Sequence, residues 1–165
     1  MNATILFSQI QDKLPKKIGG FKKALTANQN YSKPIMSNEE LLKKLESLSE
    51  TELKEVAKML EKDELDSPSV CFWLHNFVLG SFGVSRFKVG HFKIGIIKLL
   101  ILIIYQISYI ATLLIRFDPQ ITFIFYLLAC AFWFIDLFSI GVFLRNKNLE
   151  KVNNIIDLVK ARNAN

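Results

Sequence analysis

The first part of the chain alternates between short amphipathic stretches and turn-forming residues. A small amphipathic helix, resting on a membrane or on the rest of the protein, is predicted by the apolar residues Ile5, Phe7, Ile10 and Leu14. Residues 15–36 carry prolines, glycines and asparagines among lysines, which is typical of a linker, with one helical turn expected at residues 21–26. No independent domain is therefore predicted before residue 37.

Two capping boxes mark the next two predicted helices. Ser37 precedes Glu40 by three positions, and Ser49 precedes Glu52 in the same way. Apolar residues then continue along one face of each helix, over about residues 38–48 and 50–65. Because the pair is too small to hold much core alone, residues 37–66 are predicted to present their helices to an unknown protein partner.

Three apolar segments follow, of 15, 22 and 24 residues, at residues 70–84, 94–115 and 121–144. A helix needs about 20 apolar residues to cross a bilayer, so the second and third segments are long enough to span. The turn at residues 116–120 is short, and Pro119 is expected to stop the helix, so the two spans are predicted to form an antiparallel hairpin. The predicted fold class is all-α, an integral membrane helical hairpin preceded by a short membrane-dipping or spanning helix.

The distribution of charge predicts the orientation of the hairpin. The formal net charge is +6, and residues 70–165 hold 10 Lys plus Arg against 4 acidic residues, whereas residues 1–69 are balanced. Most of these cations flank the hairpin at residues 85–93 and after Leu144, while the turn holds only Arg116. The positive-inside rule then predicts that the C-terminus lies in the cytoplasm. The expected location is the inner membrane of a bacterium.

The sidedness of the N-terminus depends on the segment at residues 70–84. If this segment crosses, the first 69 residues are exported; if it dips in and returns, they stay inside. Its shortness, its polar middle and its glycine-rich end favour the second arrangement. The predicted divisions are 1–36 (amphipathic segment and linker), 37–68 (soluble helical pair), 69–148 (membrane domain) and 149–165 (basic cytoplasmic tail).

One acidic residue lies inside the predicted hairpin. Asp136 is the only charge in the third segment, as Lys98 is in the second. An unpaired charge near mid-membrane costs roughly 2.5–3.5 kcal/mol, so Asp136 requires a partner or a proton. The candidates, in order, are Lys98, Arg86 and the Tyr105 hydroxyl. A structural clamp is favoured over a proton relay because no second membrane acid is present.

Polar residues also form a stripe on each span. Those of the second segment are Lys98, Tyr105, Tyr109 and Thr112, and those of the third segment include Trp133 and Asp136. Polar side chains in a bilayer turn toward other helices, so the two stripes are predicted to face each other.

Residues of this region resemble the TM2 domain. The resemblance is carried by Gly80-Ser-Phe-Gly-Val-Ser-Arg-Phe-Lys-Val-Gly90, by Lys93-Ile-Gly-Ile-Ile-Lys-Leu-Leu100 and by Phe132-Trp-Phe-Ile-Asp-Leu-Phe138. The matching positions are Gly80, Gly83, Arg86, Phe87, Gly90, Gly95, Trp133 and Asp136. Lys88 and Ser85 depart from the family pattern, which often has tyrosine and histidine there. The resemblance covers about residues 70–150 and implies a membrane module without an agreed activity.

The sequence predicts no enzyme, no metal site and no cofactor. Cys71 and His75 supply only two of the ligands that a zinc site needs, and both Cys71 and Cys130 are interpreted as packing residues. Nucleic acid is excluded as a partner because the cations interrupt apolar runs. A cationic belt formed by Arg86, Lys88, His91 and Lys93 suits anionic lipid headgroups.

The predicted function is that of an anchor, scaffold or interaction module in the lipid bilayer. The alternative is a small oligomeric channel or transporter component that uses Asp136 as an intramembrane polar or proton site. A homo-oligomer is one arrangement that the sequence leaves open.

Overall fold

A computed structural model describes residues 2–16 and 34–163, and all regular elements within them are helical. This confirms the all-α prediction; the helical turn expected at residues 21–26 lies outside the described residues. The chain forms two compact units. We call Met1–Pro68 with Val142–Asn165 the terminal unit, and Ser69–Gly141 the central unit.

Among its described residues, the first part of the terminal unit contains the α-helices Ala3–Ile10, Asn38–Glu46 and Glu50–Lys62 and the 3-10 helix Gln11–Lys13. Both predicted capping boxes are present, with the serine hydroxyl accepting from the glutamate N–H and the glutamate carboxylate accepting from the serine N–H. The backbone N–H of Ser37 holds the pKa of Glu40 below its ordinary value. The second and third helices end a few residues earlier than the apolar pattern predicts.

The paired helices bury their apolar faces within the chain itself. Leu41, Leu45 and Val56 belong to one buried core, and so do several residues near the C-terminus. That second group consists of Leu149, Val152, Ile155, Ile156 and Val159. Residues 149–163 therefore contribute apolar core to the terminal unit, where the sequence predicted a separate basic tail.

The first helix joins the same core with a slightly different face from the one predicted. Ala3, Leu6, Ile10 and Leu14 are buried, whereas Ile5 is 54% exposed. The predicted residues Ile10 and Leu14 are thus internal and Ile5 is not. Of the two surfaces considered for this helix, it packs on the rest of the protein.

Polar side chains tie the two ends of the chain together in this unit. Asn148 is buried; its Nδ2 donates to the carbonyl oxygens of Lys13 and Asp66, at 3.0 and 2.9 Å, and its Oδ1 accepts from the Asp66 N–H at 3.2 Å. The Arg145 guanidinium donates to the carbonyl oxygens of Asp12 and Leu14. These bonds pair backbone groups of residues 12–14 and 66 with side chains of the second half of the chain.

Charged side chains near the C-terminus form ion pairs inside the terminal unit. The ion pairs are Lys44–Asp157 at 2.5 Å, Lys151–Asp63 at 2.7 Å and Arg162–Glu55 at 2.6 Å. Each is at least partly exposed, so each contributes little stability by itself. They match the charged surfaces of helices that the core already holds together.

The central unit opens with a broken helical region. Its pieces are Pro68–Val70, Cys71–Val78, Gly80–Phe82 and Val84–Lys88. Cys71–Val78 is a π-helix, and the Leu79 N–H donates to the Leu74 carbonyl five residues back, at 3.1 Å. The longest uninterrupted helical run, residues 68–78, is about 16 Å long at 1.5 Å per residue. It is too short to cross a hydrocarbon core of about 30 Å.

Two long helices follow. We call Phe92–Ile115 the first long helix and Pro119–Asn163 the second long helix. Pro119 begins the second helix and does not itself stop the first, because proline is tolerated in a first turn whose N–H groups have no helical partner. The turn is made by Arg116, which is left-handed at φ 54°, and by Asp118, whose carboxylate accepts from the Gln120 N–H.

The two long helices pair in antiparallel fashion within the central unit. The contacting pairs are Thr112 with Thr122, Tyr105 with Tyr126, and Lys98 with Asp136. Residue numbers decrease along the first long helix as they increase along the second, which is the antiparallel order. Both helices are long and apolar enough to cross a membrane. In the most apolar 18 residues of the first and second long helices, only 17% and 28% of the residues are buried. The core helices of a soluble protein are mostly buried.

Candidate functional site

Asp136 is the centre of a buried charge cluster in the central unit. It is fully buried, and Arg86 and Lys98 are 2% and 4% exposed. Its Oδ1 accepts from Arg86 Nε at 2.7 Å and contacts Nη2 of the same guanidinium, while its Oδ2 accepts from Lys98 Nζ at 2.5 Å. The structure thus brings the two foremost predicted partners together on opposite oxygens of one carboxylate.

Two further residues contact the Arg86 guanidinium. Its Nη2 donates to Ser139 Oγ at 3.1 Å, and its Nη1 lies 3.1 Å from His91 Nδ1. A guanidinium has only donors, so His91 Nδ1 accepts and the imidazole is neutral, with its proton on Nε2. Burial lowers the pKa of His91, and the positive charge of Arg86 lowers it further, against the opposing effect of Asp136.

Glycine packing positions Arg86. The short helix that carries it begins after Gly83, which is left-handed at φ 75°. A Cβ added at Gly83 would lie 2.7 Å from the Gly95 carbonyl oxygen, and one added at Gly95 would lie 2.5 Å from Cε1 of Phe87. Both glycines therefore allow contacts that an alanine would obstruct. Gly90 is also left-handed, at φ 86°, but a Cβ there would meet nothing within 4 Å.

Gly80 and Trp133 form a neighbouring contact. A Cβ at Gly80 would lie 3.1 Å from Cδ1 of Trp133 and 3.3 Å from Oδ1 of Asn76. The Trp133 ring also packs on Phe77, with ring centroids 5.9 Å apart. Ser85 Oγ donates to Asn76 Oδ1 at 3.3 Å, whereas the buried Asn76 Nδ2 has no hydrogen-bond partner among the described residues.

The predicted meeting of the two polar stripes occurs only in part. Lys98 reaches Asp136, but the ring of Tyr105 packs on Tyr126 and Tyr109, with centroids 5.8 and 6.2 Å apart. No hydrogen bond joins Tyr105 to Asp136 in the described chain. Tyr109 is 47% exposed. Trp133 packs on the broken helical region and not on the tyrosines, because the Gly80 turn opens the space beside it.

The structure also revises the predicted headgroup belt. Arg86 and His91 are buried in the charge cluster, while Lys93 is exposed. Sequence reasoning missed Ser139 and the internal role of His91. Ser139 could have been found, because it lies three residues after Asp136 on the same helical face. His91 lacked such a signal, since its approach to Arg86 depends on the intervening turn.

The geometry of this cluster suits holding charges in fixed positions. The Asp136 carboxylate is occupied by cations, and no group of three or more potential metal ligands is found in residues 2–16 and 34–163. Cys71, which is buried, and Cys130, which is half-buried, form no disulfide within the described residues. Arg86 links the broken helical region to Asp136 and Ser139 on the second long helix, and Lys98 links the first.

Neither a protein-family model, nor a curated protein, nor a solved structure matches the chain. The resemblance to the TM2 domain therefore rests on the residues that carry it, and it stays a prediction.

Proposed function

We propose that this protein is a small multi-pass membrane protein that acts as an anchored scaffold or interaction module and has no catalytic activity. The two long helices support membrane insertion, because they expose a continuous series of large apolar side chains from Ile96 to Phe134. Water-exposed apolar patches of this extent are rare on soluble monomers. The buried charge cluster supports an anchoring role, since it fastens the broken helical region to both helices of the hairpin.

The core of the terminal unit gives the strongest support to the proposal. Leu41, Leu45 and Val56 share a core with Leu149 and Val152, which supports placing the two ends of the chain on the same side of the bilayer. A hairpin returns the chain to the side from which it entered. Residues 69–91 must then also begin and end on one side, as expected of a region that dips into the membrane and returns.

The excess of lysine and arginine at residues 85–93 and beyond residue 144 supports a cytoplasmic location for that side. The terminal unit would then be cytoplasmic. We propose the TM2-like pattern of Gly83, Arg86, Gly95 and Asp136 as the structural signature of the membrane part.

The topology is tested by labelling single cysteines in a Cys71→Ala/Cys130→Ala background. Glu61→Cys and Lys147→Cys, both exposed in the terminal unit, are expected to react with a membrane-impermeant maleimide from one side. Gln120→Cys, in the first turn of the second long helix, is expected to react from the other side. Labelling of positions 61 and 147 from opposite sides would overturn the proposal, and so would quantitative release of the wild-type protein from membranes by alkaline carbonate.

The surface available to a protein partner is narrower than the sequence indicated. The apolar faces within residues 37–66 are used by the protein's own core, so a partner would contact the polar face. Lys54 and Lys58 are exposed on that face. Charge reversal of both lysines is expected to reduce crosslinking of a native partner in intact membranes, whereas reversal of Lys93 in the central unit serves as the matched control. Equal loss with both changes would argue against this surface.

Transport through Asp136 is the competing proposal. Each oxygen of the Asp136 carboxylate accepts a hydrogen bond from a cation, and this arrangement favours a structural role over a transport site. Liposomes that contain the wild-type protein are therefore expected to show no proton flux that depends on Asp136, so Asp136→Asn should leave the measured flux unchanged. An Asp136-dependent flux, with insertion and abundance unchanged, would replace the scaffold proposal.

A further inference from the structure

Gln106 is the only side-chain amide in the two long apolar segments, residues 94–115 and 121–144. It is exposed on the first long helix, and among the described residues its side chain makes no hydrogen bond. Gln106 lies 14 residues after Phe92, about 21 Å along a helix of about 36 Å. If the helix spans a bilayer, this amide lies close to the hydrocarbon midplane, beyond the reach of water.

The surroundings of Gln106 have the spacing of a helix-packing seam. The positions Leu99, Ile103, Gln106, Ile110 and Leu113 follow alternating steps of four and three residues. All but Leu99, which is half-buried, are exposed. The seam is separate from the surface that faces the second long helix, where Lys98, Ser108 and Thr112 lie. One helix thus presents two packing surfaces, and the second long helix occupies only one.

We propose that a second copy of this chain packs against this seam, with the Gln106 side chains of the two copies hydrogen-bonded to each other. The inference rests on the proposed membrane insertion. A carboxamide has both donors and an acceptor, so two of them can bond reciprocally. All copies inserted in one orientation carry Gln106 at the same depth.

A two-fold axis along the membrane normal brings identical residues of parallel helices together, which a partner of unrelated sequence would match only by coincidence. Polar side chains such as glutamine associate membrane helices because hydrocarbon offers them no alternative partner. The flanking residues Ile103 and Ile110 would supply the apolar packing on either side. The dimer would have two hairpins joined through their first long helices.

Disulfide crosslinking in proteoliposomes tests the seam with Gln106 intact. In the Cys71→Ala/Cys130→Ala background, Ile103→Cys and Ile110→Cys are expected to crosslink efficiently. Leu100→Cys and Leu114→Cys are the controls, because both are exposed on the same helix but lie to one side of the seam. Equal crosslinking at all four positions, or stronger crosslinking at the controls, would overturn the inference.

The amide is tested by energy transfer between labelled copies as the vesicles are diluted with lipid. Gln106→Leu is expected to weaken association about ten-fold, as the loss of two modest interhelical hydrogen bonds implies, whereas Gln106→Asn keeps most of it. Ile107→Leu, a neighbouring apolar change, is the control. Unchanged association of Gln106→Leu, or a monomeric wild type, would overturn the inference. Carbonate extraction of each variant separates these outcomes from failure of membrane insertion itself.

Discussion

Gly83 lies directly on the backbone of Gly95. A Cβ on Gly83 would stand 2.7 Å from the Gly95 carbonyl oxygen, and Gly83 is left-handed, so no other residue fits without strain. This contact joins the turn before Arg86 to the first turn of the first long helix. The same helix carries Lys98 one turn further on. The contact therefore helps to place both cations against Asp136.

Gly83→Ala is expected to destabilise the central unit by more than about 1 kcal/mol, because the added methyl group meets backbone and the left-handed conformation disfavours it. Gly141→Ala is the matched control: a Cβ there meets nothing within 4 Å, and alanine favours the helix. Thermal unfolding in detergent measures both. Equal unfolding temperatures for the two variants would contradict the packing described.

Gly95→Ala is expected to destabilise for a different reason, since its Cβ would collide with the Phe87 ring. Adding Phe87→Leu should restore part of the lost stability, because the smaller side chain makes room. Phe87→Leu alone serves as the reference in this double-mutant cycle. Strictly additive losses would show that the two residues do not interact.

The charge cluster predicts unequal effects for its members. Arg86 and Lys98 provide two positive charges against the one negative charge of Asp136. Asp136→Asn leaves two cations buried together and should cost about 3–5 kcal/mol, as for other broken buried pairs. Lys98→Met leaves one positive charge on Arg86 opposite one negative charge on Asp136. It should therefore lower the free energy of unfolding by clearly less. Unfolding of the purified variants in detergent compares them, and a larger loss for Lys98→Met would refute this reasoning.

The neutral His91 predicts a dependence of stability on pH. Because the pKa of His91 is lower in the folded protein than in the unfolded chain, the unfolded state binds the proton more readily. The stability that the neutral His91 contributes to the folded protein is therefore fully present above about pH 6.5 and is lost as the pH falls below that value. The unfolding temperature of the wild type should decrease when the pH is lowered from 7 to 5, and the unfolding temperature of His91→Gln should decrease by less. His75→Gln is the control, and an identical slope for both variants would contradict the assignment.

The terminal unit predicts a contrast between two leucines of one helix. Leu149 is fully buried in the shared core, whereas Leu158 is 54% exposed. Leu149→Ala should cost about 2–5 kcal/mol and open the N-terminal helices to protease. Leu158→Ala should change stability by no more than about 0.5 kcal/mol. Limited proteolysis with mass spectrometry of the fragments distinguishes them, and similar digestion of both variants would argue against the core.

The elements that sequence reasoning anticipated are those with local causes. A capping box needs only Ser37 and Glu40, three residues apart, and the long apolar segments depend only on their own composition. Residues 149–165 contain lysines and an arginine that predict a basic tail. Their apolar positions, Leu149, Val152, Ile156 and Val159, follow helical spacing, yet what covers them lies more than 80 residues earlier in the chain.

Local chemistry thus sets the helical class, the caps and the lengths of the apolar helices, since each depends on neighbours within a few turns. The order of contacts around Asp136 is of another kind. Arg86 lies 50 residues away in sequence, and its position follows from close packing of Gly83 on Gly95 and of Gly95 on Phe87. Such contacts depend on how distant backbones approach, and spacing along the chain contains too little of that information to predict them.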